Sequence, residues 1–323
     1  MKAIVQDRYG SPDVLELREV GQPVAGENDL LVRVNAAGVD PSVWHLMTGL
    51  PYLVRALGYG VRAPKVRIRG TDVAGRVEAV GANVTRFRPG DEVFGTCDGS
   101  FAEYACGPEE RFAPKPANLT FEQAAAVPIS ACTALQGLRD QGRVRPGQKV
   151  LIIGAGGGVG TFAVQLAKAL GAEVTGVCGT AKTDLVRSIG ADDVIDYTRD
   201  DFADRARRYD LILDTAGNRS LSHLRRALTP GGTLVIIGGE GEGRWFGGTE
   251  RLFKALMLSP FVSQNLRGLF ATQPREDLQL LTELIEAGKV TPVIDRTYSL
   301  KEAPDAVRHL RNGHARGKVV ITV

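Results

Sequence analysis

The chain is 323 residues long, with 40 Lys and Arg against 37 Asp and Glu and a formal charge of +3 at pH 7. That balance is too small to imply a polyanionic partner. The 43% hydrophobic and 24% charged residues exclude a disordered or collagen-like chain. No apolar run approaches the ~18 residues that a transmembrane helix needs, and the opening MKAIVQDRYG carries no signal-peptide core. A soluble, cytoplasmic protein of one large or two ordinary domains is expected. Cys97, Cys106, Cys132 and Cys178 are scattered without CxxC spacing, so neither a disulfide framework nor a zinc knuckle is indicated.

Through the first ~125 residues, short apolar runs alternate with Gly, Pro and Asp turn signals, the pattern of a rolled or barrel-like β domain. The runs are KAIVQ, DLLVRVNAAGV, TDVAGRVEAVG, DEVFG and FAEYA. FEQAAAVPISACTALQGL then reads as an Ala-rich helical stretch. Beyond it come KVLIIG (149–154), a helix over 158–170, EVTGVC (173–178) and a helix over 182–189. DDVIDY, YDLILDTAG (209–217), a helix over 219–228 and GTLVIIGG (232–239) continue the series. Strand–helix alternation with apolar strands predicts a parallel sheet covered on both faces. A helix over 275–288, a strand, a helix over 301–312 and the strand GKVVITV close the chain. Many of the 39 glycines cluster after apolar runs, where backbone turns tightly or approaches a ligand.

The strongest chemical signal is KVLIIGAGGGVGTFAVQLAKALGA, a buried strand ending in a Gly-rich turn that opens an amphipathic helix. From Ala155 the turn reads A-x-G-x-x-G, with Gly157 and Gly160 as its glycines and Gly158 and Val159 between them. Gly157 would let backbone approach a pyrophosphate, and Gly160 would let the helix pack tightly on the strand. The helix N-terminus offers free N–H groups and a positive dipole end to the phosphates. Strand, turn, helix and second strand stand in the order that a dinucleotide site requires. At the end of the second strand an NAD site places an acid for the ribose 2′-hydroxyl. Here Gly179, Thr180 and Lys182 stand there instead, supplying room, a hydroxyl and a cation for a 2′-phosphate. NADPH is the expected cofactor; the alternative is that Lys182 is only a solvated residue of the helix start.

With that motif in place, the chain resembles the medium-chain dehydrogenase/reductase superfamily, in particular its zinc-free quinone oxidoreductase-like branch. The segments that carry the resemblance span nearly the whole length: MKAIVQDRYGSPDVLEL, residues 69–95, GSFAEYA, AAAVPISACTALQGL and residues 284–321. It implies an α/β architecture, a Rossmann doubly wound parallel sheet (126–262) inserted into a GroES-like, mostly β substrate domain (1–125 plus 263–323). It also implies homodimers formed by pairing of sheet edges, with GTLVIIGG as the edge strand. The superfamily's zinc-dependent alcohol dehydrogenases take ligands at positions that here read Asp40, Thr71 and the vicinity of Ile129 and Ser130. Zinc needs three converging protein donors, so no metal is expected. Without a Lewis acid, hydride addition to a quinone or an α,β-unsaturated carbonyl is less demanding than alcohol–carbonyl interconversion, because the charge spreads into an enolate or hydroquinone.

The resemblance also implies site residues. Asp40 stands where relatives carry Asn beside the nicotinamide; a protonated Asp could donate to a developing enolate oxygen, whereas a turn-forming Asp before Pro41 is the plainer alternative. Tyr52 matches a cleft tyrosine able to donate a proton, or simply to line the wall. Trp44 and His45 are expected to flank the substrate pocket. Thr133 is placed beside the nicotinamide ribose and Tyr197 along the adenosine ribose phosphate. Ala216, Gly217, Gly238 and Gly239 should face the dinucleotide through backbone, and Lys318 either reaches the cofactor or is an exposed strand lysine.

The stretch 55–69 carries Arg55, Arg62, Lys65, Arg67 and Arg69 with no acid among them. It reads as a solvated cover of the cleft or as an attractor of an anionic substrate such as an acyl-CoA. Nucleic-acid contact lacks the interleaved aromatics such sites use, beyond Tyr59. The leading function is an NADPH-dependent, zinc-independent reductase of quinones or α,β-unsaturated carbonyl compounds. The alternatives are a metal-free alcohol or aldehyde dehydrogenase, and a low-activity NADPH-binding sensor or nucleic-acid-binding protein.

Overall fold

The computed structural model describes every residue except 205, 239–244, 246 and 248, with residues 57 and 249 described through backbone alone. The amino-terminal part contains β1 (Lys2–Val5), β2 (Glu16–Glu19), β3 (Asp29–Val39), α1 (Pro41–Thr48), α2 (Tyr52–Val54), β4 (Asp72–Val80), β5 (Glu92–Thr96), β6 (Tyr104–Pro108), β7 (Phe112–Pro114), α3 (Phe121–Ala125) and α4 (Pro128–Gln136). The middle part continues with β8 (Lys149–Ile153), α5 (Gly158–Ala169), β9 (Glu173–Cys178), α6 (Thr183–Ser188), β10 (Asp193–Asp196), β11 (Tyr209–Asp214), α7 (Leu221–Arg226), β12 (Leu228–Ile236), α8 (Thr249–Leu258) and β13 (Asn265–Gly268). The chain closes with α9 (Arg275–Glu286), β14 (Ile294–Ser299), α10 (Ala303–Arg311) and β15 (Lys318–Thr322).

Contacts divide the chain into two compact units. The first holds Met1–Cys132, Gln273–Gly288 and Pro292–Val323; the second holds Thr133–Thr272 and Lys289–Thr291. In the first, β3 is the long central strand of a seven-stranded sheet in the order β14-β15-β3-β4-β5-β7, with β6 also paired to β3. Its eleven residues, DLLVRVNAAGV, are buried at most positions because both faces are covered. Leu30, Val32, Val73, Val93 and Phe112 form one core cluster, and Val39, Val43, Met47, Phe101, Val307 and Ile321 form another. The fold is the GroES-like one expected.

The second unit is a six-stranded sheet in the order β10-β9-β8-β11-β12-β13, parallel at every pairing. Its central strands β8 and β11 are near-continuous apolar runs because helices cover both faces. Leu151, Ile153, Ile212, Leu234, Leu266 and the α7 residue Leu224 make the core. The chain runs outward from β8 through β9 and β10, then returns to β11 and proceeds the other way. That reversal places a crevice at the carboxyl ends of β8 and β11, where doubly wound sheets bind ligands.

Three features depart from the sequence reading. The sheet does not end at GTLVIIGG: β13, NLRG, pairs outside β12 and is the edge strand, and the unit runs to Thr272 rather than 262. Four residues of mixed polarity after an unassigned helix give no period to read. The Ala-rich stretch is two helices, because Pro128 has no N–H to continue the first. A Thr120–Gln123 capping box starts α3, and Pro128 starts α4. Finally, α1 rises from the segment after β3, with Asp40 as its cap and Pro41 at its first position.

Candidate functional site

The turn between β8 and α5 is built from two glycines with different duties. A Cβ on Gly160 would stand 2.1 Å from the Gly154 carbonyl oxygen and 2.7 Å from Ala155 Cα. Only glycine lets α5 close down on the end of β8. A Cβ on Gly157 would meet only the Gly154 oxygen, at 3.4 Å, so its side of the turn is open. Gly157 caps α5 in an extended conformation that any residue can adopt, with no side chain to occupy the first turn's N–H groups. Gly158 and Val159 form that first turn, and Ala155 is buried beneath it. The result is an open cradle at a helix N-terminus, which fits an anionic group such as a pyrophosphate.

Lys182 lies over this turn: a Cβ on Gly156 would come within 2.9 Å of its Cβ and 2.8 Å of its Cδ. Gly179 follows β9, with the Tyr197 hydroxyl 3.3 Å from where its Cβ would be. Thr180 donates to Asp196 Oδ2 at 2.5 Å, and Thr198 donates to Oδ1 at 2.7 Å. These bonds hold Asp196 below the usual carboxylate range. The Arg219 guanidinium stands 5.9 Å from the Tyr197 ring centroid, a cation the sequence reading did not single out. At the end of β11, buried Asp214 accepts from the Ala216 and Gly217 N–H groups at 3.2 and 3.0 Å and pairs with Arg251 on α8. Burial pulls Arg251 down to about 10. This ion pair holds the turn carrying Ala216 and Gly217, and no motif in 249–262 points to it. Gly238 follows β12 against the Thr215 carbonyl. Thr133 lies in the second unit on α4, 7% exposed. Gly239 falls outside the described residues.

In the first unit the sheet threads a buried ionic cluster across three strands. Pairing of Val319 with Val39 and of Val73 with Ala37 puts Lys318 beside Asp40 and Asp72 beside Gly38 on the central strand. Lys318 is 2% exposed, so the exposed-lysine reading is corrected. Its Nζ donates to Asp72 Oδ2 at 3.2 Å and to Ser130 Oγ at 3.1 Å. Gly38 makes room for that carboxylate, since a Cβ there would lie 2.9 Å from Asp72 Oδ2 and 2.5 Å from the Ala125 carbonyl. Asp72 Oδ1 accepts from the Ile129 N–H at 3.0 Å. Burial pushes the Asp72 carboxyl up to about 7; Lys318 pulls it down and Asp40 adds to the rise. Asp40 Oδ1 accepts from the Ser42 N–H at 2.8 Å, which makes it a helix cap. Its Oδ2 is buried with no hydrogen-bond partner among the described residues.

The other first-unit candidates lie on or beside α1. Arg55 stacks between the rings of Tyr9 and Tyr52, 4.2 and 4.9 Å from their centroids, and donates to the Gly49 carbonyl at 2.9 Å. Trp44 packs toward α10, with the Arg311 guanidinium 5.2 Å from its ring centroid. His45 is exposed, its Nδ1 2.9 Å from the Leu50 carbonyl oxygen. The α1 residues that line a surface recess are Val43 and Leu46, one helical turn apart.

Residues 26–117 match the family model of the alcohol dehydrogenase GroES-like domain, and residues 189–321 match that of the zinc-binding dehydrogenases. The chain is 32% identical to an NAD(P)H oxidoreductase, RTN4IP1, mitochondrial, of Danio rerio, over 100% of this chain and 91% of that protein. The chain belongs to the medium-chain dehydrogenase/reductase superfamily, in its quinone oxidoreductase-like branch. It is also 33% identical to a 2-methylene-furan-3-one reductase of Solanum lycopersicum, over 99% of this chain and 79% of the relative. The solved quinone oxidoreductase from Coxiella burnetii superposes with a TM-score of 0.87 at 29% identity, covering 100% of this chain and 99% of that one. As a member of that branch, the chain is an oxidoreductase.

Against the superfamily's zinc-dependent members, this chain's donor positions carry other duties. Asp40 caps α1, and Ser130 receives Lys318. Among the described residues no group of three His, Cys, Asp or Glu side chains is placed to hold a metal ion. Burial raises the thiol of Cys97 and pushes that of Cys106 up to about 11. No helix among the described residues is long and apolar enough to cross a membrane.

Proposed function

We propose that this oxidoreductase is an NADPH-dependent, zinc-independent reductase of quinones or α,β-unsaturated carbonyl compounds. A nicotinamide cofactor supplies the hydride at its C4 when bound. The observation that carries the reading is the open cradle at Gly157 with Lys182 lying over the same turn. The cradle's N–H groups would bind a pyrophosphate. Because the Thr180 hydroxyl already donates to Asp196, contact with a 2′-phosphate falls to Lys182 and Arg219, with Tyr197 beside them. The names of the tomato and Coxiella relatives support the substrate classes.

On the substrate side, the carbonyl oxygen gains charge as the hydride arrives, and this chain offers hydrogen-bond donors rather than a Lewis acid. The Tyr52 hydroxyl is the donor we assign toward that oxygen, and Asp40, its Oδ1 fixed by Ser42 and its Oδ2 without a partner among the described residues, is the second side chain we place beside it. The Lys318–Asp72–Ser130 cluster keeps the strand that carries Asp40 in register, a positioning role. A homodimer is part of the same reading. β13 is an outer strand, and Met257, Phe261 and Phe270 near it are 75%, 84% and 80% exposed, a set of apolar groups that a second copy would cover. Consumption of NADPH with a panel of quinones, enones and enoyl thioesters tests the activity. Turnover of at least one class is expected, and none with any would refute it.

A further inference from the structure

Of the basic residues in 55–69, Arg69 is set apart by burial. Arg62 and Lys65 are exposed, Arg55 is held by two carbonyls and two rings, and Arg67 pairs with Asp7. Arg69 is 4% exposed, and its Nε has no hydrogen-bond partner among the described residues. A guanidinium N–H taken out of water without a partner carries a desolvation cost unless an acceptor meets it. Burial accordingly lowers its pKa.

The surroundings are those of a small ligand site. Arg69 lines a recess together with Val43 and Leu46 of α1, Tyr59, Val66, Ile68 and the Gly70–Thr71 backbone. Beside Gly70, Ser100 Oγ is fully buried and also lacks a hydrogen-bond partner among the described residues; a Cβ on Gly70 would stand 2.4 Å from it. Asp98 is the acidic group of this recess; it is exposed, so water screens it, whereas Arg69 acts from inside. Apolar walls with one buried planar cation are matched by a short carbon chain ending in a carboxylate, which a guanidinium can receive through two parallel hydrogen bonds.

We propose that this recess binds the carboxylate of a small organic acid, with Arg69 as its anchor and Val43, Leu46 and Ile68 holding its carbon chain. Resting on the reductase reading, this makes the substrate class an unsaturated carbonyl compound or quinone that carries a carboxylate. Thr71 stands one residue before Asp72, the first residue of β4 and a member of the ionic cluster.

Binding is measured on the full chain without turnover, by saturation-transfer NMR titration of butyrate against its neutral isostere butyramide. The wild type is expected to bind butyrate at least about tenfold more tightly than butyramide, the effect of one charge-assisted pair. Arg69→Gln should abolish that preference, and Arg69→Lys should retain part of it. Should Arg69→Gln fail to fold, Leu46→Trp, which fills the recess from a half-buried position, should remove butyrate binding. Equal binding of both ligands, binding of neither, or undiminished butyrate binding in Arg69→Gln or Leu46→Trp would overturn the proposal. A separate arm compares kcat/KM for an enone acid and its amide: the acid is expected to lead, and parity would remove the substrate assignment. No turnover of either, with butyrate binding intact, would count against the reductase reading alone.

Discussion

Replacing each of two glycines in the β8–α5 turn by alanine separates folding from cofactor binding. In Gly160→Ala the new methyl would lie 2.1 Å from the Gly154 oxygen and 2.7 Å from Ala155 Cα. Both are backbone atoms of a buried strand end, so relief requires α5 to move off the sheet. Overpacking of this kind costs up to about 3 kcal/mol, which lowers the melting temperature by of order 10 °C for a unit of this size. In Gly157→Ala the methyl meets only the Gly154 oxygen at 3.4 Å. Its cost to folding is the weaker helix cap, about 1 kcal/mol or less. The methyl would nevertheless fill the cradle where the phosphates approach. Displacing them from the helix N–H groups removes one or more charge-assisted hydrogen bonds of about 1.5–3 kcal/mol each, so affinity should fall at least about tenfold. Thermal unfolding monitored by circular dichroism and titration of NADPH fluorescence report the two effects independently. A Gly157→Ala protein that binds NADPH as tightly as the wild type would refute the assignment of the cradle. A Gly160→Ala protein of undiminished stability would refute the packing argument.

Lys182→Ala should weaken NADPH binding much more than NADH binding, measured by the same titration; equal losses would remove Lys182 from the 2′-phosphate site. Lys318→Met should leave a fold whose penalty depends on pH. The Asp72 pKa in the folded state lies above its unfolded value, so its stabilising contribution is complete below about pH 4 and is lost as pH rises through about 7. Removing Lys318 raises that pKa further. The variant's stability deficit in urea should therefore grow between pH 6 and 9, by up to about 1.4 kcal/mol per pH unit. A pH-independent deficit, or one that persists unchanged when Asp72→Asn is added, would contradict it. Asp40→Asn keeps the helix cap but not the acid, so it should retain the melting temperature and lower kcat; unchanged kcat would leave Asp40 a cap only.

The Rossmann half was legible because its physics is local. A strand buried on both faces reads as VLII or LILD, and the glycines follow it within a few residues. Lys182 was legible from a motif offset of the same kind. What escaped depended on pairing between distant segments. Lys318 is an ordinary strand lysine in sequence, and only the β15–β3–β4 register brings it across Gly38 to Asp72, 246 residues away. Asp72 adjoins Thr71, but only its burial against Lys318 distinguishes it from any other strand-start acid. The segment of helix α8 is amphipathic, but nothing in the sequence marks its Arg251 as the partner of Asp214, 37 residues away. Asp40 was recognised as a departure from its relatives; the two fates of its oxygens, one capping α1 and one unpartnered, needed the structure.

Zinc-free hydride transfer to an unsaturated acceptor is tested most directly by isotope labelling. Chelator-treated enzyme is supplied with NADPH deuterated at C4, each face in turn, together with the acceptor that turns over best in the panel. For an enone, one deuterated face is expected to deliver its label to the β-carbon of the product, at a rate unchanged by chelator and by added zinc. Absence of label from the product, or activity lost with chelator and restored by zinc, would contradict the proposed reaction.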